Sequence, residues 1–155
     1  MAISFATLKA AYPLAPRPAL YTSLGGEWPN LVNDPLYQNT CSIRLSIALK
    51  AAGASIPADL REGMDGAGSP LVIKVRTMER LATRLLGEFD WGMSKQPGVP
   101  VRAGDLPPHK GIIAYHVQWA NATGHFDLWT GSAFVGNVNF DDVRDGYALQ
   151  FWRVD

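Results

Sequence analysis

One cysteine and three histidines are the residues of this chain best suited to nucleophilic or acid–base chemistry. Cys41 stands in Gln38-Asn39-Thr40-Cys41-Ser42-Ile43-Arg44-Leu45-Ser46. Polar Asn39 and Thr40 suit a helix N-cap, and no Gly or Pro interrupts Ser42 to Leu49. Gly53 sits where a helix C-terminus favours it, so the pattern predicts a helix from about Cys41 to Ala52 with the sulfur in its first turn. There the unpaired N–H groups and the positive end of the macrodipole favour thiolate over thiol and can hold an oxyanion. The same pattern suits a small buried residue in an apolar helix, so a base elsewhere in the chain has to decide between the two.

The histidines differ in setting. His109 follows Pro107-Pro108 in a loop and reads as a surface residue, and His116 lies inside a strand. The spacing of the three matches no metal-binding box, so no metal site is expected. His125 opens a strand after Asn121-Ala122-Thr123-Gly124, and alternation puts His125, Asp127 and Trp129 on one face with Phe126 and Leu128 on the other. If the first face meets the start of the Cys41 helix, the imidazole can approach the sulfur.

The elements that must position these residues read as helices early and strands late. Ser4 caps a short helix carrying Phe5, Leu8 and Tyr12, and Pro13, Pro16 and Pro18 then give an extended strap to Pro35 with a Gly25-Gly26 turn. The Cys41 helix is apolar around most of its circumference, which predicts a central position. After a loop over 54–70, Leu71 to Val75 reads as a short strand. Thr77 then caps a helix with Met78, Leu81, Ala82 and Leu85 on one face and Gly87 at its end. Residues 88–110 read as loop. From Gly111 onward, the runs Ile112–Trp119, His125–Trp129, Ala133–Phe140 and Tyr147–Val154 predict an antiparallel meander. The fold class is therefore α+β, one domain over 1–155, with the Cys41 helix packed on a C-terminal antiparallel sheet.

Lys plus Arg and Asp plus Glu both number 14, so no basic face points to nucleic acid or anionic lipid. A single cysteine excludes an intrachain disulfide. The N-terminal residues lack the basic and apolar regions of a secretory signal peptide, and no apolar run reaches membrane-spanning length, so synthesis in the cytoplasm is expected.

Three blocks together carry a resemblance: Asn39-Thr40-Cys41-Ser42-Ile43-Arg44-Leu45-Ser46-Ile47-Ala48-Leu49, Lys110-Gly111-Ile112-Ile113, and Gly124-His125-Phe126-Asp127-Leu128-Trp129-Thr130-Gly131. With Trp119-Ala120-Asn121-Ala122-Thr123 before the last block, the chain resembles the type VI secretion amidase effectors of family 4 from about Phe5 to Trp152. The resemblance implies a papain-like, NlpC-type fold and hydrolysis of the γ-D-glutamyl–meso-diaminopimelate bond in peptidoglycan stem peptides. It implies no cofactor. Export by a type VI machine into the periplasm of target bacteria and a cognate immunity protein as partner also follow from it. By the same resemblance Cys41 is the nucleophile, His125 the general base, and the Cys41 N–H an oxyanion donor, with Gln38 or Tyr37 candidates for a second donor. The family places an orienting Asp after the histidine strand, where this chain has Gly136-Asn137. Asn137 can orient the imidazole through its side-chain oxygen; Asp127 is the alternative and Asn139 a third candidate. A cysteine pair that some members carry after this strand is absent. Two rival readings are a Cys-His toxin that deamidates or cross-links a host protein, and a binding module in which Cys41 is only core.

Overall fold

Ser4 accepts the Thr7 N–H at 3.4 Å and opens α1 (Phe5–Ala11), whose Phe5 and Leu8 turn into the core. The computed structural model describes residues 2–119, 122–136 and 138–155. It departs first from the expected strap: Pro16 and Pro18 start a helix there, α2 (Arg17–Leu24), rather than preventing one. A proline in the first turn loses nothing, because the first N–H groups of a helix have no partner within it. Gly25 and Gly26 then reverse the chain at φ 73° and 57°. Two 3-10 turns, Trp28–Leu31 and Pro35–Tyr37, lead into the central helix.

That helix is α3 (Cys41–Ala51), and it is buried on nearly every side. Ile43, Leu45, Ala48 and Leu49 have no solvent exposure. Each large aliphatic side chain withdrawn in this way contributes roughly 1.5–3 kcal/mol. Polar Ser46 fits the interior because its hydroxyl donates to Ser42 O at 2.7 Å and accepts the Val72 N–H at 3.0 Å. The run expected as a strand over 71–75 pairs only at its start, as β1 (Gly63–Met64) with β2 (Pro70–Leu71). Glu62 Oε1 takes the N–H groups of Ile73 and Lys74, which turns the chain into α4 (Val75–Leu86) two residues before Thr77. Met78, Leu81 and Ala82 face the core as their spacing predicts.

The main sheet joins β3 (Trp91–Ser94), β4 (Gly111–Trp119), β5 (Ala122–Trp129) and β6 (Ala148–Arg153) in the order β3-β6-β4-β5, with every pair antiparallel. The fold class is therefore α+β, as the sequence indicates. Three details of the expected meander are corrected. β6 returns beside β4, where both Phe151 and Trp152, on opposite faces, are buried. β3 lies within the segment read as loop. Among the described residues of 133–140 the pairing is a single bridge, Trp129↔Phe134, before α5 (Phe140–Arg144), because the Asp127 carboxylate takes the N–H groups of Gly136 and Val138 that a strand would pair.

One face of the sheet (Ile112, Ala114, Phe126, Leu128, Trp152) packs under α1, α3 and α4. The other (Ile113, Tyr115, Val117, Leu149, Phe151) closes a second core with Val101, Leu106 and Val143. Among the described residues no helix is long and apolar enough to cross a membrane.

The end of α2 is fastened to the β1–β2 ribbon by a close backbone contact. Gly66 N–H donates to Leu24 O at 2.7 Å, and a Cβ on Gly66 would stand 2.7 Å from Gly26 N. No flexible side chain can give way there. Gly66→Ala is expected to lower unfolding stability by about 1–3 kcal/mol, the usual cost of overpacking, read from the urea midpoint. A change below about 0.5 kcal/mol, the range of an ordinary surface substitution, would show that the two backbones are not locked.

Candidate active site

The site forms where the start of α3 meets the free edge of β5. Along that edge Gly124, Phe126 and Leu128 direct their backbone polar groups outward, and each finds a use. Gly124 O accepts from Asn39 Nδ2 at 3.1 Å, the Phe126 N–H faces the Cys41 sulfur, and Leu128 O accepts from Val135 N at 3.0 Å. Asn39 also accepts the Cys41 N–H on its Oδ1 at 3.2 Å. The expected cap position is thus shifted: Thr40 makes no side-chain cap, and Asn39 holds the first turn from one residue earlier.

Cys41 and His125 line one cleft of about 290 Å³. They reach it differently from the expected geometry. Phe126 and Leu128, not the histidine face, pack beneath α3, and Cys41 and His125 both line the cleft at the edge of β5. His125 lies inside β5, which begins three residues earlier than expected, and its ring stacks on Tyr115 with centroids 5.3 Å apart. Residues 120, 121 and the candidate Asn137 lie outside the described residues.

Burial pushes the Cys41 thiol above its ordinary value, with N–H groups of Phe126 and Ser42 and the Ser42 hydroxyl pulling the other way and Asp127 adding to the rise. Burial also lowers the His125 pKa, against the pull of Asp142. Withdrawal from water thus disfavours the charged form of both groups, and at Cys41 it opposes the thiolate stabilisation expected from the helix start.

The other sequence candidates are occupied. Gln38 lines the cleft, but its Nε2 donates to Val32 O at 3.0 Å and Asp34 O at 2.7 Å. Tyr37 accepts the Tyr21 hydroxyl on its carbonyl. Asn139 caps α5 by accepting the Asp142 N–H at 2.9 Å. His116 Nε2 lies 3.0 Å from Gln150 Oε1, and His109 is exposed. Among the described residues no group of His, Cys, Asp and Glu has the makings of a metal site.

Asp127 is 1% exposed and is fully engaged by backbone. It accepts from Leu128 N at 2.7 Å, from Gly136 N at 2.8 and 3.0 Å, and from Val138 N at 3.3 Å. It so fixes both neighbours of residue 137. Gly136 allows this approach, since a Cβ there would stand 2.8 Å from both Asp127 Oδ1 and the Tyr12 ring. Arg17, Arg44, Tyr12 and Asp142 complete the cleft. Sequence reasoning assigned none of these four to the site; the Arg44 position in the Cys41 helix, one turn on, was the available signal.

Burial raises the Asp127 pKa from 3.8 to about 6, against its N–H donors. A carboxyl whose folded pKa is raised takes up a proton on folding. Its contribution is thus greatest below about pH 4 and is lost as pH rises through about 6. Relative to Asp127→Asn, the native chain should lose up to about 3 kcal/mol of stability between pH 4 and 7. Urea titrations at each pH would measure this, and parallel curves for the two proteins would contradict it.

A family model described as "Type VI secretion system (T6SS), amidase effector protein 4" matches residues 37–152. No curated protein matches the sequence. Among solved structures, the chain is similar to Tae4 in the Tae4–Tai4 effector–immunity complex from Enterobacter cloacae, at 20% identity, full coverage of both chains and TM-score 0.85. Tae4 alone from Enterobacter cloacae aligns at 21% identity over 100% of this chain and 98% of its own, with TM-score 0.84. Tae4 in the Tae4–Tai4 complex from Salmonella Typhimurium aligns at 22% identity over the full length of both, with TM-score 0.83. At these identities the structures establish a shared fold, and the match to the family model over most of the chain establishes membership: the chain belongs to the type VI secretion amidase effector family 4.

Proposed function

We propose that the chain is an antibacterial effector whose single domain, of papain-like NlpC type, hydrolyses the γ-D-glutamyl–meso-diaminopimelate bond of peptidoglycan stem peptides. The observation that carries this reading is the shared cleft of Cys41 and His125 in a member of an amidase effector family. The Cys41 sulfur attacks the scissile carbonyl as its proton passes to a His125 ring nitrogen. The imidazolium then returns that proton to the leaving amine, and the acyl group stays on sulfur as a thioester. Water, deprotonated by the same imidazole, cleaves the thioester and restores the thiol. The carbonyl oxygen displaces Asn39 Oδ1 from the Cys41 N–H, a bond that at 3.2 Å is long for its kind. Asn137 holds the imidazole in its working tautomer. This assignment is favoured because the Asp127 carboxylate is already committed to the N–H groups on either side of residue 137. The reaction uses no metal or cofactor. A type VI machine delivers the protein to the periplasm of a target cell, and the producer carries a cognate immunity protein, as the effector–immunity complexes of the structural relatives suggest.

Digestion of purified sacculi with mass analysis of the fragments tests the reaction. Cys41→Ala and His125→Ala should each abolish cleavage, and the double variant should be little worse than either, because the pair acts as a unit. Asn137→Ala should lose about ten- to a thousandfold, the worth of one supporting hydrogen bond. Near-native cleavage by Cys41→Ala would remove the nucleophile from the scheme, and independent multiplication of the two losses would separate the pair.

The direction of the His125 shift also sets the pH response. Protonation of His125 removes the base, and its pKa is depressed below 6.5, so the acid limb of kcat/KM should fall below that of an ordinary histidine. An acid limb above pH 7 would instead indicate a stabilised imidazolium and a resting ion pair.

A further inference from the structure

The cleft that Cys41 and His125 line also carries two guanidinium groups, those of Arg17 and Arg44. Arg44 is 3% exposed, yet no carboxylate pairs with it among the described residues. Its Nε donates to Thr40 Oγ1 at 2.9 Å and its Nη1 to Pro13 O at 2.9 Å. Nη2 makes no such bond among the described residues, and no buried side-chain nitrogen or oxygen among them lacks a partner, so Nη2 is open to the cleft. Arg17, from the start of α2, lines the same cleft with its Nε on Val32 O at 3.0 Å and neither terminal nitrogen hydrogen-bonded among the described residues. Both guanidinium groups line the same cleft. The buried Asp127 carboxyl feels the Arg44 charge, but among the described residues its hydrogen bonds go to backbone N–H groups and not to Arg44. A buried guanidinium that no carboxylate meets directly carries a desolvation cost. A second cation in the same cleft adds repulsion, which a bound anion would relieve. Among the described residues lining this cleft the one acidic side chain is Asp142, and it acts on His125.

This arrangement gives the cleft a direction. The leaving amine must lie next to His125, so the acyl half of the substrate extends from the Cys41 sulfur toward Arg17 and Arg44. In a γ-linked D-glutamyl substrate, the acyl half carries a free α-carboxylate on the carbon chain attached to the reacting carbonyl. We propose that Arg17 and Arg44 form the subsite that binds this α-carboxylate, making Arg17 a specificity-determining residue; the identity of the carboxylate rests on the amidase reading above. Planar guanidinium groups with open terminal nitrogens match a carboxylate in a bidentate mode, which a carboxamide, with one acceptor and a donor, cannot reproduce.

The test compares the tripeptide L-Ala-γ-D-Glu-meso-diaminopimelate with the same peptide bearing an α-carboxamide. Binding is measured by calorimetry on Cys41→Ala protein and cleavage on protein with Cys41 intact. Arg17 is the position to vary, because Arg44 also holds Thr40 and Pro13 within the fold. The free acid should bind about ten- to a hundredfold tighter than the amide, as expected for hydrogen bonds to a charged group. Arg17→Gln should remove most of that preference and Arg17→Lys should restore part of it. The kcat/KM ratio for the two peptides should move in parallel. Cleavage with a preference that Arg17→Gln leaves intact would overturn the subsite and spare the amidase reading. An Arg17-dependent binding preference without cleavage of either peptide would support the anion subsite and count against the amidase reading. Binding of neither peptide would overturn both.

Discussion

One amide side chain joins the two halves of the cleft. Asn39 donates to Gly124 O and accepts the Cys41 N–H, so it ties the start of α3 to a strand 85 residues further on. The tie solves two problems of backbone chemistry together. A helix start has N–H groups without partners, and an edge strand has carbonyls and N–H groups without partners. Set against each other with Asn39 between them, they leave little of either unsatisfied. The residue that follows Gly124 is His125, and the residue held by Asn39 Oδ1 is Cys41. The two chemical groups therefore line one cleft where the backbone around them is being completed.

The same placement decides their charge. A helix macrodipole is worth about 0.3–1 kcal/mol to an anion in its first turn, under one pKa unit. Full burial can shift an ionisable group by up to about 3–5 units. At Cys41 burial is the largest influence and acts against the thiolate. His125 is shifted the opposite way by the same withdrawal from water. In the proposed reaction, proton transfer belongs to the attack itself and does not precede it.

Much of this was legible in the sequence where local rules operate. Ser4, the uninterrupted run after Cys41, the i, i+3, i+4 spacing at Met78, Leu81 and Ala82, and the alternation through Phe126 and Leu128 all report local geometry, and the structure follows them. The failures lie where a distant group overrides the local one. Residues 133–138 are β-prone, but the Asp127 carboxylate claims their N–H groups. Val75 reads as strand, but Glu62 turns the chain into a helix just before it. Trp91–Ser94 has few strand signals of its own and pairs because β6 offers an edge. In the site, Cys41 and His125 are visible as chemistry-bearing types, whereas Arg17 sat inside a segment that its prolines made look extended. Its place in one cleft with Arg44 depends on α2, which only the tertiary packing of Leu20, Tyr21 and Leu24 on Trp28 and Ile43 makes evident.

The contact between Gly66 and the Gly25-Gly26 turn acquires a meaning from that position of α2. The helix that presents Arg17 at its first residue is clamped at its last turn by Gly66, backbone on backbone, and Trp28 Nε1 on Met64 O reinforces the clamp at 2.8 Å. The backbone that carries Arg17 is consequently held by the fold before any ligand arrives. Conformational entropy that a mobile arginine-bearing loop would surrender on association is surrendered here during folding. A backbone held in this way discriminates by shape as well as by charge, because it cannot follow a ligand whose anionic group is set one carbon nearer or farther from the reacting carbonyl.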